Sequence, residues 1–218
     1  MSKPDKKNTF TKITSNAVAL SGNPWSAFAT ELDKYIGAPI LKFTKDGQFA
    51  LSDTDSIPDG TRCAAQVNLV QTGWVKWRDG QIEKRVVGAV ADGFVPPARD
   101  TLGDTDESLW DRDPSGKPRD PWQFQMVLPV TRVDTGETVN FTTGSRGGLN
   151  AVNKLIRIYG SRVSRKQGGL PIVELKADFY KHREFGKIYF PKFTIVNWTD
   201  DRGQPMSVDQ ELNDQIPF

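Results

Sequence analysis

Cysteine and histidine are almost absent from the chain: among 218 residues there is one of each, Cys63 and His182. A lone cysteine excludes a disulfide within the chain, and the pair cannot supply the four nitrogen and sulfur ligands of a structural zinc site. Long apolar runs are missing too, and the first ten residues, MSKPDKKNTF, lack the apolar segment of a signal peptide. We therefore expect a cytoplasmic protein with no membrane contact, no metal and no cofactor.

Charge is unevenly divided along the chain, although the formal net charge is only +2. From Thr199 onward, five carboxylates face one arginine and give the tail a side-chain charge of −4, while the first 198 residues hold 28 basic and 22 acidic groups. Such a division is expected when a positive body binds a polyanion and the tail binds something else. A solvated surface with a frayed end is the alternative interpretation of the same charges.

Periodicity and turn residues divide the chain into a polar N-terminal arm (1–20), one domain (21–198) and the acidic tail (199–218). Apolar residues at helical spacing predict a helix in NPWSAFATELDKYIG and another in GGLNAVNKLIRIYG. Between and after these segments, alternating residues predict strands, with hairpin turns at Asp46–Gly47 and Asp79–Gly80. Two strands, LPIVELKADFY and GKIYFPKFTIVNW, follow the second helix.

This order of elements predicts a mainly β fold, a barrel like the OB-fold with an N-terminal helix and one helix before the last two strands. A β-sandwich with an inserted helix is the alternative, because periodicity does not distinguish the two closures. Residues 92–121 predict an irregular acidic loop that is longer than a compact domain normally keeps without a use.

The first candidate site residues come from residues 62–78, which the alternation predicts to be one continuous strand with a polar face. That face would carry Arg62, Trp74, Lys76 and Arg78. Single-stranded nucleic acid binds to such faces, because bases stack on aromatic rings while cations follow the phosphates. The alternative is a Trp74 that is covered by the long loop or by the first helix.

The second group lies between Lys154 and Lys192, where ten basic residues face three acidic ones and aromatic residues are interleaved. Alternation places Lys176 and Tyr180 outward, and YKHREFGK predicts a loop joining the last two strands. The candidate nucleic-acid-binding residues of this group are Lys176, Tyr180, Lys181, Arg183 and Lys187, and a merely solvated lysine face is the alternative. Arg146 is a further candidate, because it stands with glycines at the start of the second predicted helix, where free backbone amides favour a phosphate. A plain helix entry is the alternative for Arg146.

The acidic stretch DTLGDTDESLWDRD is the only basis for an enzymatic interpretation. Its carboxylates could bind Mg²⁺ or Ca²⁺, as a metal-dependent nuclease requires. However, they have no fixed ligand spacing, and loops collect aspartate for other reasons. We assign no catalytic residue and expect no enzymatic activity.

The last residues, NDQIPF, resemble the C-terminal tip of bacterial single-stranded-DNA-binding proteins, an acidic segment that ends in Asp-Ile-Pro-Phe. Asp214 supplies the acid, Gln215 stands where the family usually has another aspartate, and Ile216, Pro217 and Phe218 match. In that family the terminal phenylalanine enters an apolar pocket on replication, recombination and repair enzymes, while its carboxylate meets a basic residue.

The long body with its acidic loop is more similar to the divergent single-stranded-DNA-binding proteins of phages and mobile elements than to the standard bacterial ones. The resemblance implies a protein that coats single-stranded DNA without sequence specificity and recruits such enzymes through Asp214, Ile216, Pro217 and Phe218. A strand-annealing recombination protein is the alternative, and a metal-dependent nuclease is less expected. The sequence leaves the oligomeric state open, a homo-oligomer included.

Overall fold

The computed structural model describes residues 37–113, 115–200 and 203–206. The described elements are β1 (Ile40–Phe43), β2 (Phe49–Ala50), β3 (Ser56–Ile57), β4 (Arg62–Ala65), β5 (Gln71–Arg78), β6 (Gln81–Ala89), β7 (Trp122–Arg132), β8 (Thr138–Thr143), α1 (Arg146–Ser164), β9 (Pro171–His182) and β10 (Gly186–Trp198). The predicted N-terminal arm, the first predicted helix and the tip residues Asp214, Ile216, Pro217 and Phe218 lie outside the described residues.

The fold is mainly β, as predicted, with a sheet that curls strongly into a half-barrel and one helix before the last two strands. Neighbouring strands follow the order β10-β9-β4-β7-β8-β1-β2-β3, and β5 joins this path through β7 and carries β6. The β1–β8 pair is parallel, whereas the central pairs of β7 and β9 are antiparallel. The described strands therefore form one continuous curled sheet, in agreement with an OB-like fold.

The core lies inside the curl of the sheet, where α1 packs against it. Leu41, Leu128 and Phe141 are fully buried on three different strands, and Leu155 of α1 is 1% exposed. Phe141 also packs edge to face with Phe193 of β10, at 5.2 Å between the ring centres. Each such buried side chain contributes about 1.5–3 kcal/mol through removal of apolar surface from water.

The start of α1 lies close to the sheet because two glycines follow its first residue. Ser145 caps the helix, its hydroxyl accepting a hydrogen bond from the Gly148 amide at 3.1 Å. A Cβ at Gly147 would lie 2.7 Å from Cβ of Phe190, and one at Gly148 would overlap the Thr143 side chain. This approach places Arg146 beside β10.

No helix in the described part of the chain is long and apolar enough to span a bilayer.

The predicted continuous strand over residues 62–78 is wrong. A 3-10 helix at Val67–Leu69 divides it into β4 and β5, which have different neighbours: β4 lies between β7 and β9, and β5 lies between β6 and β7. Arg62 is therefore on a different strand from Trp74, Lys76 and Arg78, and the expected common polar face does not form. The apolar alternation runs through the break and hides it from sequence analysis.

Candidate nucleic-acid interface

The β9–β10 hairpin carries most of the candidate residues. Its two strands pair up to a turn over residues 183–185, so the loop predicted for YKHREFGK is shorter than expected. Lys181 lies on β9, and Tyr180 and Lys187, where the predicted strands and the predicted loop overlap, lie on strands. Near the sheet Leu175 is fully buried, but Phe179 is 43% and Tyr180 50% exposed. Because successive residues point to opposite faces, both faces of the hairpin tip (residues 178–190) are open to solvent.

One face of the hairpin tip combines two aromatic rings with two cations. Phe179 lies directly opposite Tyr189, with 5.8 Å between the ring centres. Lys187 places its ammonium 4.3 Å from the centre of the Phe179 ring, and Lys181 is its partner across the strands. The ring positions the Lys187 ammonium through a cation–π contact. A base on these rings would have cations beside it for its phosphate.

The opposite face forms one wall of an open groove of about 540 Å³ against the N-terminal half of α1. We call this the basic groove and define it by Arg146, Lys154, Tyr180, Phe190 and Lys192. The Tyr180 and Phe190 rings lie 6.3 Å apart. Within the described residues, Arg146 and Lys154 form no ion pair, whereas Lys192 meets Asp178 at 3.1 Å. The groove therefore joins two aromatic side chains to two cations that form no ion pair with any described carboxylate.

Arg62 and Lys176 extend this cationic face toward the sheet. Arg62 pairs with Glu174 in the β4–β9 register, and Lys176 stands opposite Lys192, so all four side chains share one face. The Glu174 carboxylate binds Lys176 at 2.7 Å and Arg62 at 3.3 Å, and these contacts, Lys176 first, lower its pKa. One carboxylate facing two cations leaves this patch with a net positive charge.

The β5 candidates lie elsewhere and are engaged by the protein itself. Trp74 is partly buried under the long loop, and its Nε1 donates a hydrogen bond to the Pro97 carbonyl at 2.9 Å. The alternative interpretation of Trp74, a side chain covered by the long loop, is therefore confirmed. The prediction that Lys76 points to solvent is wrong: it is 9% exposed, and its Nζ lies 3.0 Å from Asp104 Oδ2. Arg78 is exposed and pairs with Glu83 at 2.9 Å. The acidic loop covers the face of β5 that the alternation assigned to solvent.

The carboxylates of the acidic loop make internal contacts. Asp104 accepts hydrogen bonds from Lys76 and from Trp122 Nε1, and these bonds, Lys76 first, lower the pKa of Asp104. Arg99 binds both oxygens of Asp120 at 2.7 Å. In the part of the chain that the structure describes, no three His, Cys, Asp or Glu side chains are grouped as metal ligands. The absence of a metal and of enzymatic activity stay predictions.

The structure brings together Arg62, Arg146, Lys176 and Tyr180 on the groove side, and Lys181 and Lys187 on the other face of the tip. Arg183 is exposed in the turn between them.

Three groove residues, Lys154, Phe190 and Lys192, were not selected from the sequence. For Phe190 and Lys192 the signal is the alternation along β10. The cations of the groove suit a polyanion, and its aromatic side chains suit the stacking of bases. Comparison of the chain with models of protein families, with curated proteins and with solved structures gave no match.

Proposed function

We propose that this protein binds single-stranded DNA without sequence specificity through the basic groove and the hairpin tip. One observation carries the proposal: exposed aromatic rings and cations occur together on both faces of a projecting hairpin. Nonspecific single-strand binding needs this combination, because rings take up bases while lysine and arginine follow the backbone.

The open ring faces favour single strands over duplex DNA. A base in a duplex is already stacked on its neighbours and does not expose its flat face, whereas an unpaired base can stack on Tyr180 or Phe179. Every base has such a face, so stacking tolerates any sequence. The cations at Arg146, Lys154 and Lys187 add attraction to the phosphates, which depends on the release of counterions and therefore on salt.

We infer that Asp214, Ile216, Pro217 and Phe218 recruit replication, recombination or repair enzymes in the cytoplasm of a bacterial or infected host cell. The support is the match of these residues to the tip of the bacterial family, together with the change from a positive body to a negative tail. A phage or mobile-element source fits the long body with its acidic loop.

The test is a titration of the full-length protein with labelled oligonucleotides. Single strands of several sequences should bind with similar affinity and more tightly than duplex, and log affinity should fall linearly with log salt between about 50 and 200 mM. EDTA should leave the oligonucleotides bound and uncut. Equal or tighter duplex binding at moderate salt would contradict the proposal.

Two further measurements separate the alternatives. Magnesium-dependent cleavage that disappears when Asp104 and Asp106 are replaced would favour the nuclease. Faster pairing of complementary strands in the presence of the protein would favour the strand-annealing function.

A further inference from the structure

A second cleft, away from the basic groove, lies between the β5–β6 turn and the acidic loop. It has a volume of about 580 Å³. Two tryptophan side chains, Trp77 and Trp110, line it together with Leu109 and Pro121. Leu109 is 82% exposed. We call this the loop cleft, and its lining combines these aromatic and apolar side chains with polar and charged ones.

Hydrogen bonds within the acidic loop hold its backbone around the loop cleft. Trp110 Nε1 donates to the Asp104 carbonyl at 2.8 Å. Besides its bonds to Asp120, the Arg99 guanidinium donates to the carbonyls of Gly103 at 2.7 Å and Asp104 at 3.1 Å. A preformed surface binds a ligand without the entropic cost of ordering the loop.

The loop cleft is negative in a body that is positive. Its lining includes the carboxylates of Asp79, Asp104, Asp106 and Asp111. Its two cations are neutralised, Lys76 by Asp104 at 3.0 Å and Arg78 by Glu83 at 2.9 Å. Hydrogen bonds from the Ser108 hydroxyl and amide lower the pKa of Asp106 and keep it ionised. This field repels nucleic acid and attracts a cationic ligand.

We propose that the loop cleft binds the N-terminal segment Lys3–Lys12 of this protein, with Phe10 between the tryptophan side chains. The segment, KPDKKNTFTK, carries four lysines and one aspartate. Phe10 is the only aromatic residue among residues 1–20. The aromatic ring of Phe10 can stack on the tryptophan side chains, and the lysines on either side of it are opposite in charge to the aspartates of the cleft.

Chain length permits this contact within one chain or between two copies. The described chain begins at Gly37, and Lys12 lies 25 residues before it, a stretch that can span roughly 85 Å when extended. The proposal does not depend on nucleic-acid binding, because it uses a different surface and a different ligand. It also gives the long acidic loop a use that the proposed function leaves open.

The experiment is photo-crosslinking of the full-length protein with p-benzoylphenylalanine in place of Phe10. Mass spectrometry of the irradiated protein should find crosslinks at residues 77–79 and 104–111. A mixture of isotopically heavy and light chains shows whether the segment reaches the cleft of its own chain or of a second copy, and either result supports the proposal.

Two matched variants test the site. Leu109→Ser and Val95→Ser both change a loop residue that is about equally exposed, 82% and 81%, but only Leu109 lines the cleft. Leu109→Ser should lower the crosslink yield about fivefold, as loss of an anchor contact does, and Val95→Ser should leave it unchanged. Lys6→Glu with Lys7→Glu should lower the yield as well, and adding Asp111→Lys should restore part of it. Crosslinks on other surfaces, or equal yields from the two loop variants, would overturn the proposal.

Discussion

Tyr180 occupies the position where the exposed aromatic surface and the basic groove meet. Its ring is half exposed and lies 6.3 Å from Phe190. Its neighbour Phe179 points to the other face, next to Lys187. At this scale, function and stability are carried by different side chains, because the core residues Leu41, Leu128 and Phe141 have no access to solvent.

Tyr180→Ala should therefore weaken single-strand binding without changing the fold. Loss of one stacking side chain costs about 1–3 kcal/mol per base. Fluorescence anisotropy with a labelled oligonucleotide measures the affinity, and circular dichroism checks the melting temperature. Val133→Ala, which removes an exposed side chain outside the hairpin, is the control and should bind as the parent does. If Tyr180→Ala binds the oligonucleotide with unchanged affinity, the basic groove is not part of the DNA interface.

Cys63 makes the stability of the fold depend on pH. It is fully buried in β4, and burial raises the pKa of its thiol from 9.0 to about 12. Between these values the unfolded chain releases the proton while the folded chain retains it, so this thiol stabilises the fold below pH 9 and its contribution is lost as the pH rises toward 12.

A thiol reagent at pH 8 should leave the native protein unlabelled and modify it in guanidinium chloride. In urea titrations, Cys63→Ala should show a smaller loss of stability between pH 8 and pH 10 than the parent. Rapid labelling of the native protein would show that β4 opens locally.

Among the elements, the acidic loop owes its conformation to the hydrogen bonds of the Arg99 guanidinium. The guanidinium binds both Asp120 oxygens and two loop carbonyls at once, which a lysine ammonium cannot do in the same geometry. Arg99→Lys keeps the charge and should therefore speed amide hydrogen exchange in residues 98–113 while leaving exchange in β7 and β9 unchanged. Arg112→Lys, whose side chain makes one bond to the Gly116 carbonyl, is the matched control. Equal effects of both variants would contradict a special role for Arg99.

The elements that the sequence predicts well are those with local causes. Asp79 and Gly80 both adopt positive φ, 52° and 74°, and a two-residue hairpin turn of this kind is signalled by the dipeptide itself. The α1 helix, predicted from its apolar stripe, is another such case, and in the structure it is longer by one residue at its start and by four at its end. Local chemistry suffices where neighbouring residues decide the conformation.

Long-range contacts decide the features that the sequence did not predict. Val67–Leu69 leaves the strand conformation because β4 and β5 pair with different neighbours. Lys76 is buried because a loop more than twenty residues later covers it with Asp104. The basic groove likewise requires the packing of α1 on β10, so Arg146 and Tyr180 could be selected as candidates but not placed together.

The division of charge between body and tail predicts that DNA binding and enzyme recruitment can be lost separately. Removing Asp214–Phe218 should abolish recruitment of partner enzymes without weakening DNA binding, and Phe218→Ala should cause most of the same loss, as an anchor residue does. A pull-down from nuclease-treated bacterial lysate compares the full-length and truncated proteins. Identical partners for both would show that the tip recruits nothing.

The order of strands has a consequence for how this chain is made. Arg62 of β4 bonds to Glu174 of β9, 112 residues later, and β1 pairs with β8 across a similarly long stretch. Ribosomes add about 5–20 residues per second, so β4 waits several seconds for the strand that covers its edge. During synthesis the growing chain exposes unpaired strands to other nascent chains, and the sheet is completed only when nearly the whole domain has emerged. Slow release from the ribosome, or binding by a chaperone, would protect these edges while β9 and β10 are still to come.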